Sequence, residues 1–168
     1  MSWRRSALYY LKRILRLSGT PYAIAMGTAI GVFVSFTPFV GLHIVISLAL
    51  AWLFRANMIA GGISTAVGNP LTFPLIWAST YELGHLILGG VNSEAPRRLG
   101  HDLANRNFDQ IVPLLGPMLL GSTVLGAIAG ALAYLVVYKA VSAYQEARRK
   151  RVATRGGAGR MAESGQKP

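Results

Sequence analysis

Hydrophobic residues in this chain fall into three long runs that contain no Asp, Glu, Lys or Arg: Tyr22–Phe54, Ala56–Tyr81 and Ile111–Tyr138. Each exceeds the roughly 20 residues that a helix needs to cross a bilayer. The first two are cut near their middles, by Phe36-Thr37-Pro38-Phe39-Val40-Gly41 and by Gly68-Asn69-Pro70-Leu71-Thr72-Phe73-Pro74. Proline lacks a backbone donor and clashes with the preceding turn, so a helix bends or stops there. Hydrocarbon offers no water to the freed backbone groups. A helix broken at membrane depth therefore has to be wrapped by protein or line a wet cavity.

The first run divides into residues 22–36 and 39–54, helices of about 22 and 24 Å at about 1.5 Å per residue. Neither half reaches the roughly 30 Å of hydrocarbon. A re-entrant hairpin with its tip at Thr37–Gly41 fits these lengths, and two tilted spans are the alternative. The second run divides into 58–68 and 75–90 around its own break. Pro38 and Pro70 lie 32 positions apart, which suggests an internal repeat with paired re-entrant tips; with both termini on one side and a single C-terminal crossing, a re-entrant first segment followed by a crossing, broken second segment also satisfies the topology. Interrupted segments in corresponding halves are the sequence mark of transporter binding sites. The third run, with Pro113 and Pro117 at its start, contains 118–138, long enough for one crossing. Small residues recur every fourth position at Ala23, Gly27, Gly31 and Ser35, and again at Ser122, Gly126 and Gly130. Such stripes let helices pack closely in a membrane.

Outside these runs, Trp3–Leu17 has an apolar face (Leu8, Leu11, Ile14, Leu15) opposite Arg5, Lys12, Arg13 and Arg16. That pattern predicts an amphipathic helix lying in the membrane interface or packed on the protein's own core. Ser18-Gly19-Thr20-Pro21 reads as the turn into the bilayer. A polar, partly helical loop is expected over 91–110, helix continuing past Lys139 to about Val152, and a disordered basic tail over 154–168. The expected architecture is all-α: a polytopic helical membrane domain over 1–153, with two Pro-broken segments, an N-terminal amphipathic helix and one C-terminal transmembrane helix.

Composition sharpens this picture. Hydrophobic residues make up 52% of the chain, charged residues only 14%, and mean hydropathy is +0.42. A chain this small has too little polar surface to bury three such runs as soluble core. The net charge of +11 is concentrated at the ends, with Arg4, Arg5, Lys12, Arg13 and Arg16 before Pro21 and a second basic cluster from Lys139 onward. By the Lys/Arg bias both termini face the cytoplasm and the middle loop faces out. Because the cations flank hydrophobic runs, anionic lipid headgroups are the expected partner, and nucleic acid is not. With no cysteine in the chain, disulfide, zinc-thiolate and thiol-nucleophile chemistry are excluded.

The stretch Gly19-Thr20-Pro21-Tyr22-Ala23-Ile24-Ala25, followed by Gly27, Ala29-Ile30-Gly31-Val32, Pro38, Gly41-Leu42-His43, Arg55-Ala56-Asn57, Gly68-Asn69-Pro70-Leu71-Thr72, Pro74 and Tyr81-Glu82-Leu83-Gly84, resembles the bacterial domain of unknown function 2062. The resemblance covers residues 18–90 and implies a small integral membrane domain, found alone or fused to other modules, with no established activity to carry over.

Candidate chemistry concentrates at the breaks. Asn69, Pro70, Thr72 and Pro74 would put an amide, a hydroxyl and unpaired backbone groups at the start of a half-helix, a place suited to an anion such as a lipid phosphate; alternatively Asn69 and Thr72 only cap helix ends. Thr37 and Pro38 form the first tip. His43 follows it and can serve proton coupling, or a helix–helix hydrogen bond. Arg55 can neutralise a phosphate or snorkel to headgroups. Glu82 and His85 read as interfacial polar residues. Three scattered histidines lack metal-ligand spacing, and neither a cofactor motif nor a nucleophile–base arrangement is apparent, so neither metal, cofactor nor enzyme activity is expected. The leading expectation is a bacterial inner-membrane, multi-pass protein that transports or translocates a lipid or anionic amphiphile at the breaks, as a homo-oligomer. The alternative is a non-transporting membrane adaptor whose basic tails recruit lipid or a protein.

Overall fold

The structure, a computed structural model, describes residues 9–10, 13–39, 41–89 and 108–164, with the side chains of all of these except 108–114 and 155–164. Most of the amphipathic segment 3–17 and of the polar loop 91–110 lies outside the described residues; within the former, 9–10 and 13–15 are helical. The elements are helices: α1 (Pro21–Ser35), α2 (His43–Leu53), α3 (Met58–Ser64, extended by a 3-10 turn over Thr65–Val67), α4 (Phe73–Ile87) and α5 (Phe108–Ser164).

Local chemistry sets most boundaries. Thr20 caps α1 by accepting the Ala23 N–H at 3.2 Å, and Pro21 occupies the first turn, where its missing donor is harmless. After Ser35 the chain reverses through Thr37, whose hydroxyl donates to the Val34 carbonyl (2.7 Å), and through Gly41 at φ +84°. Helix α2 ends in a Schellman turn: Ala56 N–H bonds the Ala51 carbonyl (2.7 Å), Arg55 N–H bonds the Trp52 carbonyl (3.1 Å), and Arg55 takes φ +52°. Asn57 then caps α3, accepting the Ala60 N–H at 2.9 Å.

The α1–α2 pair folds back on itself, whereas α3 runs alongside α1 in the same direction. Asn57 N–H donates to the Ala23 carbonyl (2.8 Å), Gly27 lies against Asn57 and Ala60, Gly31 against Gly61 and Ser64, and Ser35 against Thr65 and Gly68. Partners thus advance together along both helices. A Cβ at Gly27 would overlap the Asn57 carbonyl and one at Gly31 the Gly61 carbonyl. The stripe Ala23/Gly27/Gly31/Ser35 is therefore the contact face that lets α3 approach at backbone distance. Along α5 the order is reversed: Gln145 meets Gly19, Tyr134 meets Tyr22, Gly130 meets Ala29, Gly126 meets Phe33 and Phe36, Gly121 meets Thr80, and Pro117 meets Gly84. Helices α1 and α4 are stacked in sequence along α5, and α4 keeps the direction of α3. Only the first broken segment doubles back. The second runs on through its break, so the two segments are not arranged as a pair of re-entrant tips.

Two further expectations differ from the structure. Helix α5 starts at Phe108, ahead of Pro113 and Pro117, and it continues to Ser164 through most of the segment expected to be disordered. Ala147 to Ala153 is rich in Ala and Arg, good helix formers that carry the helix into the following glycines, each of which costs only about 1 kcal/mol. The apolar part of α5 is long enough to cross a membrane, and little of it is buried within the chain.

Beside an apolar core that includes Ile24, Val34 and Val141, the chain encloses small hydroxyls and exposes large apolar side chains. Ser35, Ser47, Thr80 and Ser122 are almost wholly enclosed, while Trp52 (72% exposed), Leu71 (78%), Leu75 (72%), Leu86 (73%) and Val136 (63%) face outward. Apolar surface on this scale marks a contact with something other than water.

Candidate site at the helix breaks

The two breaks meet. Ser35, at the end of α1, has its hydroxyl 2.8 Å from the Gly31 carbonyl and 3.2 Å from that of Thr65, where α3 tightens before its break. Gly68 sits so close to Ser35 and to the Phe73 ring that an added Cβ would lie 3.1 and 3.0 Å from them. On the other side of this crossing, His43 starts α2. It is buried, its Nε2 lies 3.3 Å from the Thr37 carbonyl, and its ring stacks on Phe73, which in turn stacks on Trp77. Donation by Nε2–H to that carbonyl would fix the tautomer and fold the hairpin tip onto α2. The junction faces α5 between Gly121 and Gly126, the middle of the apolar run Ile111–Tyr138.

Thr37 and His43 thus come together with Phe73, beside Ser35, and Pro38 follows Thr37 in the turn. Asn69, Pro70, Thr72 and Pro74 form the adjoining turn, but the two polar side chains are occupied within it. Asn69 Oδ1 accepts the N–H groups of Leu71 (2.9 Å) and Thr72 (3.2 Å), and its Nδ2 donates to the Ala66 carbonyl (3.3 Å). The Thr72 hydroxyl accepts the Asn69 N–H (3.0 Å) and donates to the Val67 carbonyl (2.6 Å). The backbone donors that would have cradled an anion ahead of α4 are therefore met by the chain's own amide oxygen. Pro70 and Pro74 are exposed. Arg55 is not part of the junction. It lies at the opposite end of α2, about 18 Å from His43 by helical rise, among exposed Trp52, Leu53 and Phe54.

Several participants escaped the sequence reading. Ser47 follows His43 by one turn of α2 and is fully buried, and Ser64 is buried on α3; neither hydroxyl has a hydrogen-bond partner, and neither does the Trp77 indole N–H. Gly61 is what brings the two serine helices together, since an added Cβ there would lie 2.9 Å from Ser47 Oγ. The His43–Ser47 spacing of four was the one available signal, because it places both on one helix face. Buried hydroxyls without partners cost about 1–3 kcal/mol each, so the fold is under-satisfied at Ser47, where α2 meets α3, and at Ser64, where α3 meets Gly31 of α1. The junction is polar yet neutral: the two runs that form it hold no charged residue. Among the described residues no group of three or more His, Cys, Asp or Glu side chains could hold a metal ion.

Beside the junction, α1, α2 and α5 enclose an apolar groove of about 630 Å³, lined by Met26, Phe33, Phe54, Gly126, Gly130 and Tyr134. Its depth follows from the small residues of α5, which leave no side chains to fill it. Over residues 4–150 the chain matches a family described as an uncharacterized protein conserved in bacteria, DUF2062. No curated protein and no solved structure matches it.

Proposed function

The chain belongs to the DUF2062 family of bacterial proteins, and on that premise we propose that it is a multi-pass protein of the bacterial inner membrane that translocates a lipid or another anionic amphiphile. In this reading α5 crosses the membrane, α3 and α4 together make a broken crossing, and α1–α2 is a re-entrant hairpin. Both termini are cytoplasmic, as the basic ends demand. The observation that carries the reading is the meeting of both breaks at one level, halfway along the apolar run of α5, with buried Thr37 and His43 at the contact. Irregular backbone at that depth is expected where it lines a path. The neighbouring apolar groove would take hydrocarbon chains while the polar seam passes the headgroup. So few crossings enclose a path only in company, so the working unit is a homo-oligomer. The chemistry is carriage rather than catalysis, and it needs no cofactor.

Reconstituted liposomes carrying a fluorescent phospholipid test this directly, with an impermeant quencher reading the inner-leaflet pool. Wild type should expose that pool faster than protein-free liposomes, and His43→Ala with Thr37→Ala should return the rate toward background. A wild-type rate equal to that of empty liposomes, across anionic and zwitterionic lipids and across pH, sinks the carrier reading.

One observation favours the second reading, a non-transporting membrane adaptor. Asn69 and Thr72 spend their hydrogen bonds within their own turn, as expected if the breaks only shape the bundle. Under that reading Asn69→Ala with Thr72→Ala lowers stability and leaves partner recruitment intact.

A further inference from the structure

Beyond the apolar groove, toward its C-terminal end, the same face of α5 changes character. At 100° per residue, Tyr144, Gln145, Arg148 and Arg149 occupy the arc that Gly126, Ala127, Gly130 and Ala131 occupy 18 positions earlier. With Arg16 and Leu17 from the segment that leads into α1, they line a cleft of about 880 Å³. Its floor is tied across the fold: Gln145 Nε2 donates to the Gly19 carbonyl at 2.9 Å, joining α5 to the turn before Pro21. Ile14, packed with Ile24, Val137 and Val141, holds the segment carrying Arg16 against α5. The cleft is therefore a shaped site between two packed elements, not a flexible fringe of charge.

Its charge is one-sided. Arg16, Arg148 and Arg149 line it together, and among the described residues no acidic one does. The described ion pair nearby, Glu146 with Lys150 at 2.6 Å, points about 130° around α5 from the centre of the cleft. Acid and cation cancel there on the outer face, which leaves the cleft to guanidinium groups alone. Planar guanidinium forks match phosphate oxygens in pairs, which an ammonium cannot do. The cleft opens about 9 Å past Tyr138, the last residue of the apolar run. That is the depth of the headgroup layer and the water next to it. Leu17 and the other apolar members of the lining favour a phosphate that carries an apolar body.

We infer that this cleft is a phosphate-binding site, and that its occupant is the headgroup of an anionic phospholipid of the cytoplasmic leaflet. The inference uses the membrane placement proposed above but does not depend on translocation. Unlike a diffuse attraction of basic tails for a negative membrane, it requires saturable binding at particular residues.

The test is native mass spectrometry of the full chain in detergent, titrated with phosphatidylglycerol, with phosphatidylcholine and with inorganic phosphate. Expected are retention of one phosphatidylglycerol per chain, weaker retention of phosphatidylcholine, and displacement of bound lipid only by phosphate in large excess. Arg16→Gln with Arg148→Gln should weaken phosphatidylglycerol binding at least tenfold. The charge-matched control Lys139→Gln with Arg151→Gln should change it less than twofold. All four side chains are exposed, so helicity by circular dichroism should be unchanged in both variants. Equal weakening by the two doubles, or no preference for the anionic lipid, overturns the site. Inorganic phosphate binding as tightly as the lipid overturns the lipid as occupant. A chain that translocates nothing yet passes this test loses only the carrier reading.

Discussion

His43 and Phe73 stack across the two chain breaks, with ring centroids 5.5 Å apart and planes inclined by 24°. One ring begins the returning arm of the hairpin, the other begins α4, so this contact links the two broken segments through side chains. Aromatic pairs contribute about 0.5–1.5 kcal/mol beyond the area they bury. A double-mutant cycle with His43→Leu and Phe73→Leu, read by chemical unfolding in detergent, should therefore return a coupling of about that size. A coupling of zero would make the rings neighbours without energetic consequence.

The α4–α5 contact gives a sharper contrast between two glycines. A Cβ at Gly84 would overlap the Pro117 carbonyl, whereas one at Gly116 meets nothing within 4 Å. Backbone cannot step aside as a flexible side chain can, so Gly84→Ala should cost about 1–3 kcal/mol or more through forced separation of the helices. Gly116→Ala relieves the poor helix propensity of glycine and should be neutral or stabilising by up to about 1 kcal/mol. Thermal unfolding of the two single variants reads the difference, and equal effects would show that α4 and α5 are not packed at this register.

Asn57 concentrates four bonds at one residue: its backbone N–H goes to Ala23, its carbonyl accepts from Gly61, its Oδ1 accepts from Ala60, and its Nδ2 donates to the Ser18 carbonyl at 3.1 Å. Asn57→Ala loses both side-chain bonds and should cost about 1–2 kcal/mol, the usual range for a lost cap. Asn57→Asp keeps the cap acceptor and loses only the donor to Ser18. Its stability should fall between wild type and alanine in an unfolding titration, and an aspartate as damaging as alanine would shift the weight from the cap to the Ser18 bond.

The breaks at Pro38 and Pro70 and the small-residue stripes were legible in the sequence because both rest on local rules, the missing proline donor and four-residue helical spacing. The direction of each half-helix was not. Whether a chain doubles back or runs on after a proline depends on distant partners, here Asn57 on Ala23 and Gly121 on Thr80. At the candidate site the pattern drew attention to Thr37 and His43, which the structure brings together at the junction. It could not tell an open amide at Asn69 from one folded onto Leu71 and Thr72, since both uses favour the same residue. Ser47 and Ser64 were invisible for a related reason: a serine reads as polar wherever it lies, and only packing against Gly61 encloses it.

Because the chain holds no cysteine, single introduced cysteines report membrane sidedness without background. Leu88→Cys and Tyr144→Cys, both at exposed positions, should react with an impermeant maleimide from opposite sides of the membrane. Leu42→Cys, at the hairpin tip, should resist labelling from both sides, since the tip lies level with the middle of the apolar run of α5. Labelling of Leu42→Cys from the side that labels Leu88→Cys would mean that α1 and α2 are two full crossings instead.

Arg55 offers a test that separates stability from the proposed lipid translocation. Among the described residues it is the non-glycine residue with positive φ, at +52°, the position after a helix where glycine is the usual occupant. Left-handed backbone costs an L-residue about 1–2 kcal/mol, while glycine loses about 0.5–1 kcal/mol more in chain entropy. Relief of strain exceeds the entropy loss, so Arg55→Gly should raise stability, by up to about 1 kcal/mol and a few degrees in Tm for a chain of this size. A strained residue is retained where its side chain has work to do, and this one projects from an exposed apolar rim at the end of the bundle that also carries Pro21. If Arg55 draws phosphates to that rim, Arg55→Gly should be more stable and slower in lipid translocation, with Arg55→Lys keeping most of the rate. A variant that gains stability at an unchanged rate would leave Arg55 as a surface cation and confine the site to the junction of Thr37 and His43.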